Sequence, residues 1–178
     1  MSETEPPIRR LYDLNRLSEA GYETRFVLGP EERTQLAEWA DVESVEQFEA
    51  VVTLQRLSPT RFHYHARLEA SLTQLCTVSL EPVASHVERD FSRTLHLVAR
   101  IADPLAAEGE ISLAAGDDDA PEDIDDPRYD LAAPLLEELV LAIDPYPRAP
   151  GVVFEPPPDA ADAPESPFAV LGRLKGQN

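Results

Sequence analysis

The sequence predicts an α+β fold: a curved antiparallel β-sheet of about five or six strands, partly barrel-like, with two packed helices and an extended proline-rich C-terminal tail. Three observations support this class. Hydrophobicity alternates with period two through residues 62–80, two segments carry helix start and stop signals, and eight of the 17 prolines fall within 145–167. We therefore predict one domain over 1–150 with an acidic loop at 103–129, and a Pro-rich linker and C-terminal segment over 151–178.

The central strand is predicted from Phe62 to Leu80. Every second residue in this run is apolar except Gln74, and the intervening residues are polar as far as Thr73, which is typical of a strand with one buried face. Because the run is long for one strand, we expect a bend at 73–75 and an end at Glu81-Pro82, since proline lacks the N–H that the ladder needs. A hairpin at 81–85 would pair this strand with a second one at 87–99.

Other strands are indicated upstream of the central one. Residues 22–28 are bounded by glycines and read as a strand, and residues 8–14 alternate more weakly. Residues 51–57 are strand-like, and the Ser58-Pro59-Thr60 turn joins them to the central strand. Residues 45–50 fit either a short helix or a lead-in to that strand.

Two helices are predicted to pack on the sheet. The first spans Pro30–Ala40, because proline suits the first helical turn and the two glutamates after it suit the helix dipole. The second ends at Ile143. Asp130 resembles its N-cap, although Pro134 favours a start at 132 or 133.

Composition narrows the functional classes. The chain has 15 Lys and Arg residues against 34 Asp and Glu, a net charge of −19, which opposes unspecific attraction to nucleic acid or anionic membranes. The single cysteine, Cys76, excludes an intrachain disulfide and is expected to be a buried apolar residue of the central strand. No apolar run approaches the roughly 20 residues of a membrane span, and the N-terminus lacks a hydrophobic signal segment. We expect a cytoplasmic protein with no membrane partner.

The sequence contains no recognisable catalytic motif. We find no glycine-rich phosphate loop, no G-x-S-x-G elbow and no H-E-x-x-H pair. His63 and His65 have a spacing that can bind metal, but no further Cys or His completes a set, and Asp117–Asp119 lacks the pattern of a calcium loop. We therefore predict a protein that is not an enzyme, with no cofactor and no metal site.

The candidate contact residues lie on the polar side of the central strand. Arg61, His63, His65 and Arg67 form a short row of cationic or potentially cationic groups in an acidic chain. Such a row is either a solvated strand face or a contact for RNA phosphates and bases. Arg89, Arg93 and Arg100 on the next strand would extend it, although Arg89 and Arg93 share the parity of Phe91 while Glu88 and Asp90 have the other parity.

Two further segments leave alternatives open. Between Glu108 and Asp130 there are ten acids and one base, which fits a solvated loop or a contact for a basic partner. The C-terminal segment SPFAVLGRLKGQN is apolar and follows the Pro-rich linker. It either docks on its own domain or engages a partner.

Four stretches together resemble a known family: GPEERTQLAEWADV at 29–42, LTQLCTVSLEPV at 72–83, YDLAAPLLEELVLAIDPYPRAPG at 129–151 and SPFAVLGRLK at 166–175. In this order and spacing the chain resembles the YceD-like large-subunit ribosomal RNA accumulation proteins, in their alphaproteobacterial style. Many relatives carry a second cysteine where Ser79 stands here, which argues against a thiolate metal role. The residues that match the family motifs are Cys76, Leu80, Glu81, Pro82, Pro167, Phe168, Ala169 and Leu171.

The resemblance implies a cytoplasmic, non-enzymatic factor that supports the synthesis, processing or stability of 23S ribosomal RNA. It supplies no catalytic residues. Two hypotheses follow. In the first, the row from Arg61 to Arg67 binds precursor 23S RNA. In the second, the chain is an assembly factor or chaperone that engages a basic large-subunit ribosomal protein through its acidic loop and C-terminal segment.

Overall fold

The computed structural model describes residues 6–98 and 121–154. The expectations for the rest of the acidic loop and for the C-terminal segment, including Pro167, Phe168, Ala169 and Leu171, concern residues outside these ranges. Within them the strands are β1 Leu11–Asp13, β2 Tyr22–Val27, β3 Ser44–Arg56, β4 Arg61–Leu75, β5 Pro82–Leu97, β6 Glu122–Ile124 and β7 Arg128–Asp130, and the helices are α1 Pro30–Ala40 and α2 Ala133–Ala142.

The strands form one large sheet and one small sheet. The large sheet has the order β2-β3-β4-β5-β6, and β1 pairs with β7 in the small one. The predicted α+β class and meander are confirmed, since β2 to β5 are consecutive antiparallel neighbours. The sheet is mixed rather than wholly antiparallel, however, because β6 adds parallel to β5. It is also open rather than barrel-like, because β2 and β6 lie at opposite edges.

Alternation along β4 separates two faces of the sheet. The inner face carries fully buried side chains, among them Phe62, Tyr64 and Leu68. Both helices pack on this face, α1 through Leu36 and α2 through Leu139 and its neighbours. The other side, which we call the outer face, carries the polar residues of β4 and their cross-strand neighbours. The predicted alternation is therefore confirmed.

Three boundaries differ from the expectation. Residues 45–50 belong to β3, whose alternation is hidden by a register shift between Val45 and Gln47. β4 ends at Leu75, so residues 76–81 form the connection to β5. β5 starts at Pro82 rather than Val87, and Pro82 is tolerated because it is the first residue of the strand.

The helix ends follow local chemistry. α1 has the predicted bounds, and the Glu32 carboxylate accepts the Gly29 N–H at 3.1 Å. α2 starts at Ala133. Asp130 does not cap α2 directly, because its Oδ1 accepts the N–H groups of Ala132 at 3.0 Å and Arg10 at 2.8 Å, tying the N-terminal segment to the start of the helix. In the described part of the chain, neither helix has the length and hydrophobicity needed to cross a bilayer.

Candidate functional site

The four predicted contact residues lie in a row on the outer face. Arg61, His63, His65 and Arg67 alternate along β4 with the buried side chains of the inner face. Arg61 and Arg67 are exposed, and the two histidines are partly exposed. The structure therefore brings the four together, and their role as a contact surface stays a prediction.

Asp90 divides this row into two halves. Its carboxylate lies 2.9 Å from His65 Nε2, and Arg67 donates two hydrogen bonds to it, from Nη2 at 2.9 Å and Nε at 3.2 Å. The Arg67 and His65 hydrogen bonds lower the pKa of the Asp90 carboxyl. The charge of Arg67 is thus largely neutralised in place.

The other half of the row has no such partner. Neither the Arg61 nor the His63 side chain forms a hydrogen bond or ion pair with any residue in 6–98 or 121–154. Their cross-strand neighbours on β5 are His96 and Thr94. We call this part of the outer face, next to the 57–60 turn, the turn end.

Carboxylates outnumber arginines on the outer face, and one of them, Asp123, lies at the turn end beside His96. All four histidines of the chain lie on this face, because His86 and His96 of β5 stand across from β4 residues of the outer parity. Asp123 faces His96, with 3.0 Å from its Oδ1 to Nδ1. The register also places three arginines, Arg25, Arg61 and Arg67, and six carboxylates, Glu23, Glu49, Glu69, Glu88, Asp90 and Asp123, on the outer face.

Arg93 does not extend the row. It lies on the inner side of β5, where Nη1 binds the Glu137 carboxylate of α2 at 2.7 Å. A second contact at 3.4 Å joins Nη2 to Glu138. Arg93 therefore fastens α2 to the sheet and is not part of a contact surface.

Cys76 is buried as predicted, but it lies in the 76–81 connection and not on the strand. We call residues 76–81 the knuckle. The Cys76 sulfur accepts the N–H groups of Ser79 and Ala149, each at 3.4 Å. Hydrogen bonds from Ser79, and then from Ala149 and Val78, lower the pKa of the thiol to about 6. The sulfur thus acts as an acceptor that joins the knuckle to the segment after α2.

The knuckle is tied to residues 144–149 at further points. Pro147 O accepts the Thr77 N–H at 2.9 Å, and the Gln74 amide donates to Asp144 O at 2.7 Å. Gln74 also accepts the Ser85 hydroxyl at 3.1 Å, so both ends of this buried amide are satisfied. Sequence reasoning missed this junction. The signal that could have indicated it is Gln74, the one polar residue on the buried side of β4.

Leu80 is the strained residue of the knuckle. Its φ is 60°, in the left-handed region, and its side chain is 71% exposed. Glu81 and Pro82 follow it, and Glu81 O accepts the Cys76 N–H at 2.8 Å to close the knuckle. The family-motif residues of this region therefore act as one structural unit: Cys76, Leu80, Glu81 and Pro82.

The knuckle does not form a cluster of metal ligands. Within 6–98 and 121–154, no group of three or more His, Cys, Asp and Glu side chains is arranged to hold a metal ion. The Cys76 sulfur instead accepts the N–H groups of Ser79 and Ala149.

The fold and these surfaces define a small α+β protein with an open, polar sheet face and helices on the opposite side. A sequence model described as "Large ribosomal RNA subunit accumulation protein YceD" matches residues 64–175. This match begins within β4 at Tyr64, after Arg61 and His63, and extends into the C-terminal segment. It covers more than half of the chain, and the chain belongs to the YceD family. No curated protein matches the chain, and no solved structure does. The family name connects the chain with accumulation of the large-subunit ribosomal RNA.

Proposed function

We propose that this chain supports the accumulation of 23S ribosomal RNA as a non-enzymatic binding factor in the cytoplasm, and that it contacts precursor RNA through the turn end of the outer face. The observation that carries the RNA contact is the division of the cationic row by Asp90. Arg61 and His63 keep their polar groups exposed to solvent without a partner among the described residues, whereas Arg67 and His65 bind Asp90.

The chemistry of the turn end suits single-stranded RNA. An arginine without a carboxylate partner can bind phosphate through two parallel hydrogen bonds. Histidine rings are flat and can stack on unpaired bases. His63 lies beside Arg61 on β4, whereas His96, across from Arg61, is bound to Asp123. Asp123 at this end and the carboxylates along the rest of the face repel phosphate, so the contact would be short and centred on Arg61 and His63.

The test compares RNA affinity across variants of the full chain. Arg61→Glu/His63→Glu removes the proposed contact, and Arg67→Glu removes the cation bound to Asp90. Arg89→Glu makes the same charge change as Arg67→Glu, but on the other side of β5. We expect the first variant to lose at least tenfold in affinity for precursor 23S fragments, with a salt slope about one unit shallower. Arg67→Glu should lose less, and Arg89→Glu should change little.

Two results would contradict this proposal. Equal losses in Arg61→Glu/His63→Glu and Arg89→Glu would mean that only net charge matters. Absence of binding by the unaltered chain at low salt would remove direct RNA contact altogether. Fluorescence anisotropy over a salt series distinguishes these results.

A basic ribosomal protein is the second candidate partner. The excess of carboxylates on the outer face and the net charge of −19 favour a cationic ligand over phosphate. If this alternative is right, a basic large-subunit protein should co-purify with the chain. That partner should be lost on deleting residues 156–178 or neutralising the acids of 103–129. Unchanged recovery by both altered chains would contradict it.

A further inference from the structure

A groove lies at the end of the sheet opposite the turn end. It is formed where α1, β4 and the segment after α2 meet, and its volume is about 480 Å³. Its apolar lining includes Val42, Leu75, Ile143, Pro145 and Pro147. Leu75 is 44% exposed although it ends the most buried strand of the sheet. We call this feature the end groove.

The walls of the end groove are held by hydrogen bonds on two sides. The loop after α1 is fixed where Val42 N–H donates to Ala37 O at 3.1 Å and Glu43 N–H donates to Thr73 O at 3.0 Å. The opposite wall is fixed by the bonds that join Gln74 and Thr77 to residues 144–147. The groove is therefore already formed, and a ligand would not need to order its walls.

The rim of the end groove is acidic. Asp41, Glu43 and Asp144 belong to its lining, which contains no Lys, Arg or His. Even with Arg148, exposed one residue beyond Pro147, the carboxylates are in excess. A ligand for this groove needs an apolar anchor and flanking positive charge, and the rim disfavours a polyanion such as RNA.

The C-terminal segment of the chain has this composition. Residues 166–175 read SPFAVLGRLK, with Phe168 and Leu171 as apolar anchors and Arg173 and Lys175 as cations. Lys175 is the only lysine of the chain. The family match extends from β4 through this segment, so it includes Leu75, the segment after α2 and the proposed ligand.

The tether is long enough. Residues 155–167 separate Phe154 from Phe168, and at the polyproline II rise of about 3.1 Å per residue they span about 40 Å. Pro147 of the groove lining is only seven residues before Phe154, at most about 25 Å of extended chain, so a tether of this length can reach the groove. Because a tethered ligand has an effective concentration in the millimolar range, even a weak match is occupied.

We propose that the end groove is the docking site of the chain's own C-terminal segment, with the apolar residues of 168–174 against Leu75, Ile143 and Pro145, and with Arg173 and Lys175 at the acidic rim. This docking goes beyond the proposed RNA contact and does not depend on it, because the end groove and the turn end lie at opposite ends of β4.

The first test is photo-crosslinking of the full chain. A benzoylphenylalanine placed at position 168 should crosslink to peptides that contain residues 40–43, 74–77 or 143–147. The same group at position 160, in the Pro-rich linker, is the matched control and should give at least fivefold less of these products. Mixing isotope-labelled and unlabelled chains shows whether the two crosslinked peptides come from one molecule.

The second test is a charge exchange in the same full chain. Glu43→Lys should lower the crosslink yield at least threefold, and so should Arg173→Glu/Lys175→Glu. Combining the two changes should restore most of the yield, because opposite charges again meet. Glu43 is exposed, and its side chain forms no hydrogen bond or ion pair with the described residues. Glu88→Lys on the outer face controls for the change of net charge.

Several outcomes would overturn the proposal. Crosslinks confined to the outer face, equal yields from positions 168 and 160, or products that join two different chains would each exclude docking in cis. Failure of the combined charge variant to recover would exclude the acidic rim as the partner of Arg173 and Lys175. RNA affinity measured on Arg61→Glu/His63→Glu reports separately on the turn end, so one proposal can fail while the other stands.

Discussion

The two ends of β4 use similar polar side chains in opposite ways. At the turn end the side chains of Arg61 and His63 point to solvent and bind no described residue. At the knuckle end Gln74, Thr77 and Cys76 are each bound to the backbone of residues 144–149. One end of the strand is thus available for a ligand, and the other holds the fold together.

The same contrast occurs within the turn end, between the two faces of the sheet. Arg56 and Arg61 flank the same turn. Arg56 lies on the inner side, where Nη2 donates to the carbonyls of Leu14 at 2.8 Å and Leu17 at 3.1 Å, and its guanidinium lies 5.1 Å from the Phe62 ring centroid. Residue type alone therefore does not separate a structural arginine from an exposed one. The acceptors within reach of each guanidinium do.

The largest expected effect tests that pair of arginines. Arg56→Ala should lower the free energy of unfolding by about 2–3 kcal/mol, because two carbonyls lose a charged donor and an aromatic ring loses its cation. Arg61→Ala should change it by less than about 0.5 kcal/mol, as expected for a surface position. Urea denaturation measures both, and similar losses in the two variants would break the distinction.

Removing the sulfur of the knuckle should have the next largest effect. Cys76→Ala leaves the N–H groups of Ser79 and Ala149 without their acceptor and opens a small cavity. We expect the Tm of Cys76→Ala to fall by about 5 °C. The Tm of Cys76→Ser should fall by less, because serine keeps an acceptor. Calorimetry on the two variants measures these changes in Tm. An unchanged Tm in Cys76→Ala would show that the junction does not need the sulfur.

The knuckle also predicts a pH dependence. The folded state lowers the pKa of the Cys76 thiol from 9.0 to about 6, so folding favours the thiolate. The resulting stability is fully present above about pH 9 and is lost as the pH falls through about 6. The stability gap between the unaltered chain and Cys76→Ala should therefore narrow from pH 9 to pH 6. A gap that stays constant would contradict a thiolate in the folded chain.

Removing the negative charge of Asp90 from the outer face should have a smaller effect. Asp90→Asn should release Arg67 and His65 and extend the cationic surface of the turn end along β4. We expect RNA affinity to rise about two- to fivefold with a salt slope about one unit steeper. Glu88→Gln, which removes a neighbouring charge that binds no arginine in the described part of the chain, is the control. Equal gains from both variants would indicate net charge alone.

The smallest expected effect concerns the strained residue of the knuckle. Leu80→Gly should raise the free energy of unfolding by about 0.5 kcal/mol, because glycine adopts a φ of 60° without the steric cost that leucine has there, although its unfolded state is more flexible. Leu80→Ala keeps the strain and should not stabilise. Urea midpoints of the two variants make the comparison, and a gain in Leu80→Ala would show that the exposed side chain itself is unfavourable.

Local signals in the sequence predicted much of the fold. The Gly29-Pro30 pair with two following glutamates set the bounds of α1, and alternation identified the buried face of β4. The first half of β3 was ambiguous, because the register shift near Glu46 interrupts its alternation. In the sequence Pro82 indicates the end of the central strand, although the first residue of a strand can also be a proline.

Long-range pairings had no local signal. β6 is the acidic triplet Glu122–Ile124, which looks like loop, and only its pairing with Leu95–Leu97 makes it a strand. The candidate row could be predicted because the polar side of β4 is visible in the alternation of the sequence. Its division by Asp90 could not be predicted, since Asp90 is 23 residues from Arg67. The Cys76 junction with Ala149 was also invisible, because 73 residues separate donor from acceptor.

The parallel pairing of β5 with β6 sets a condition on how this family can vary in length. Two parallel neighbours cannot be joined by a tight turn, and the chain must return to the opposite end of the sheet over about a dozen residues or more. Residues 98–121 connect β5 to β6 in the sequence. A longer connection is therefore compatible with this pairing, but a deletion that left only a hairpin-sized link would detach β6 and with it the path into β7 and α2.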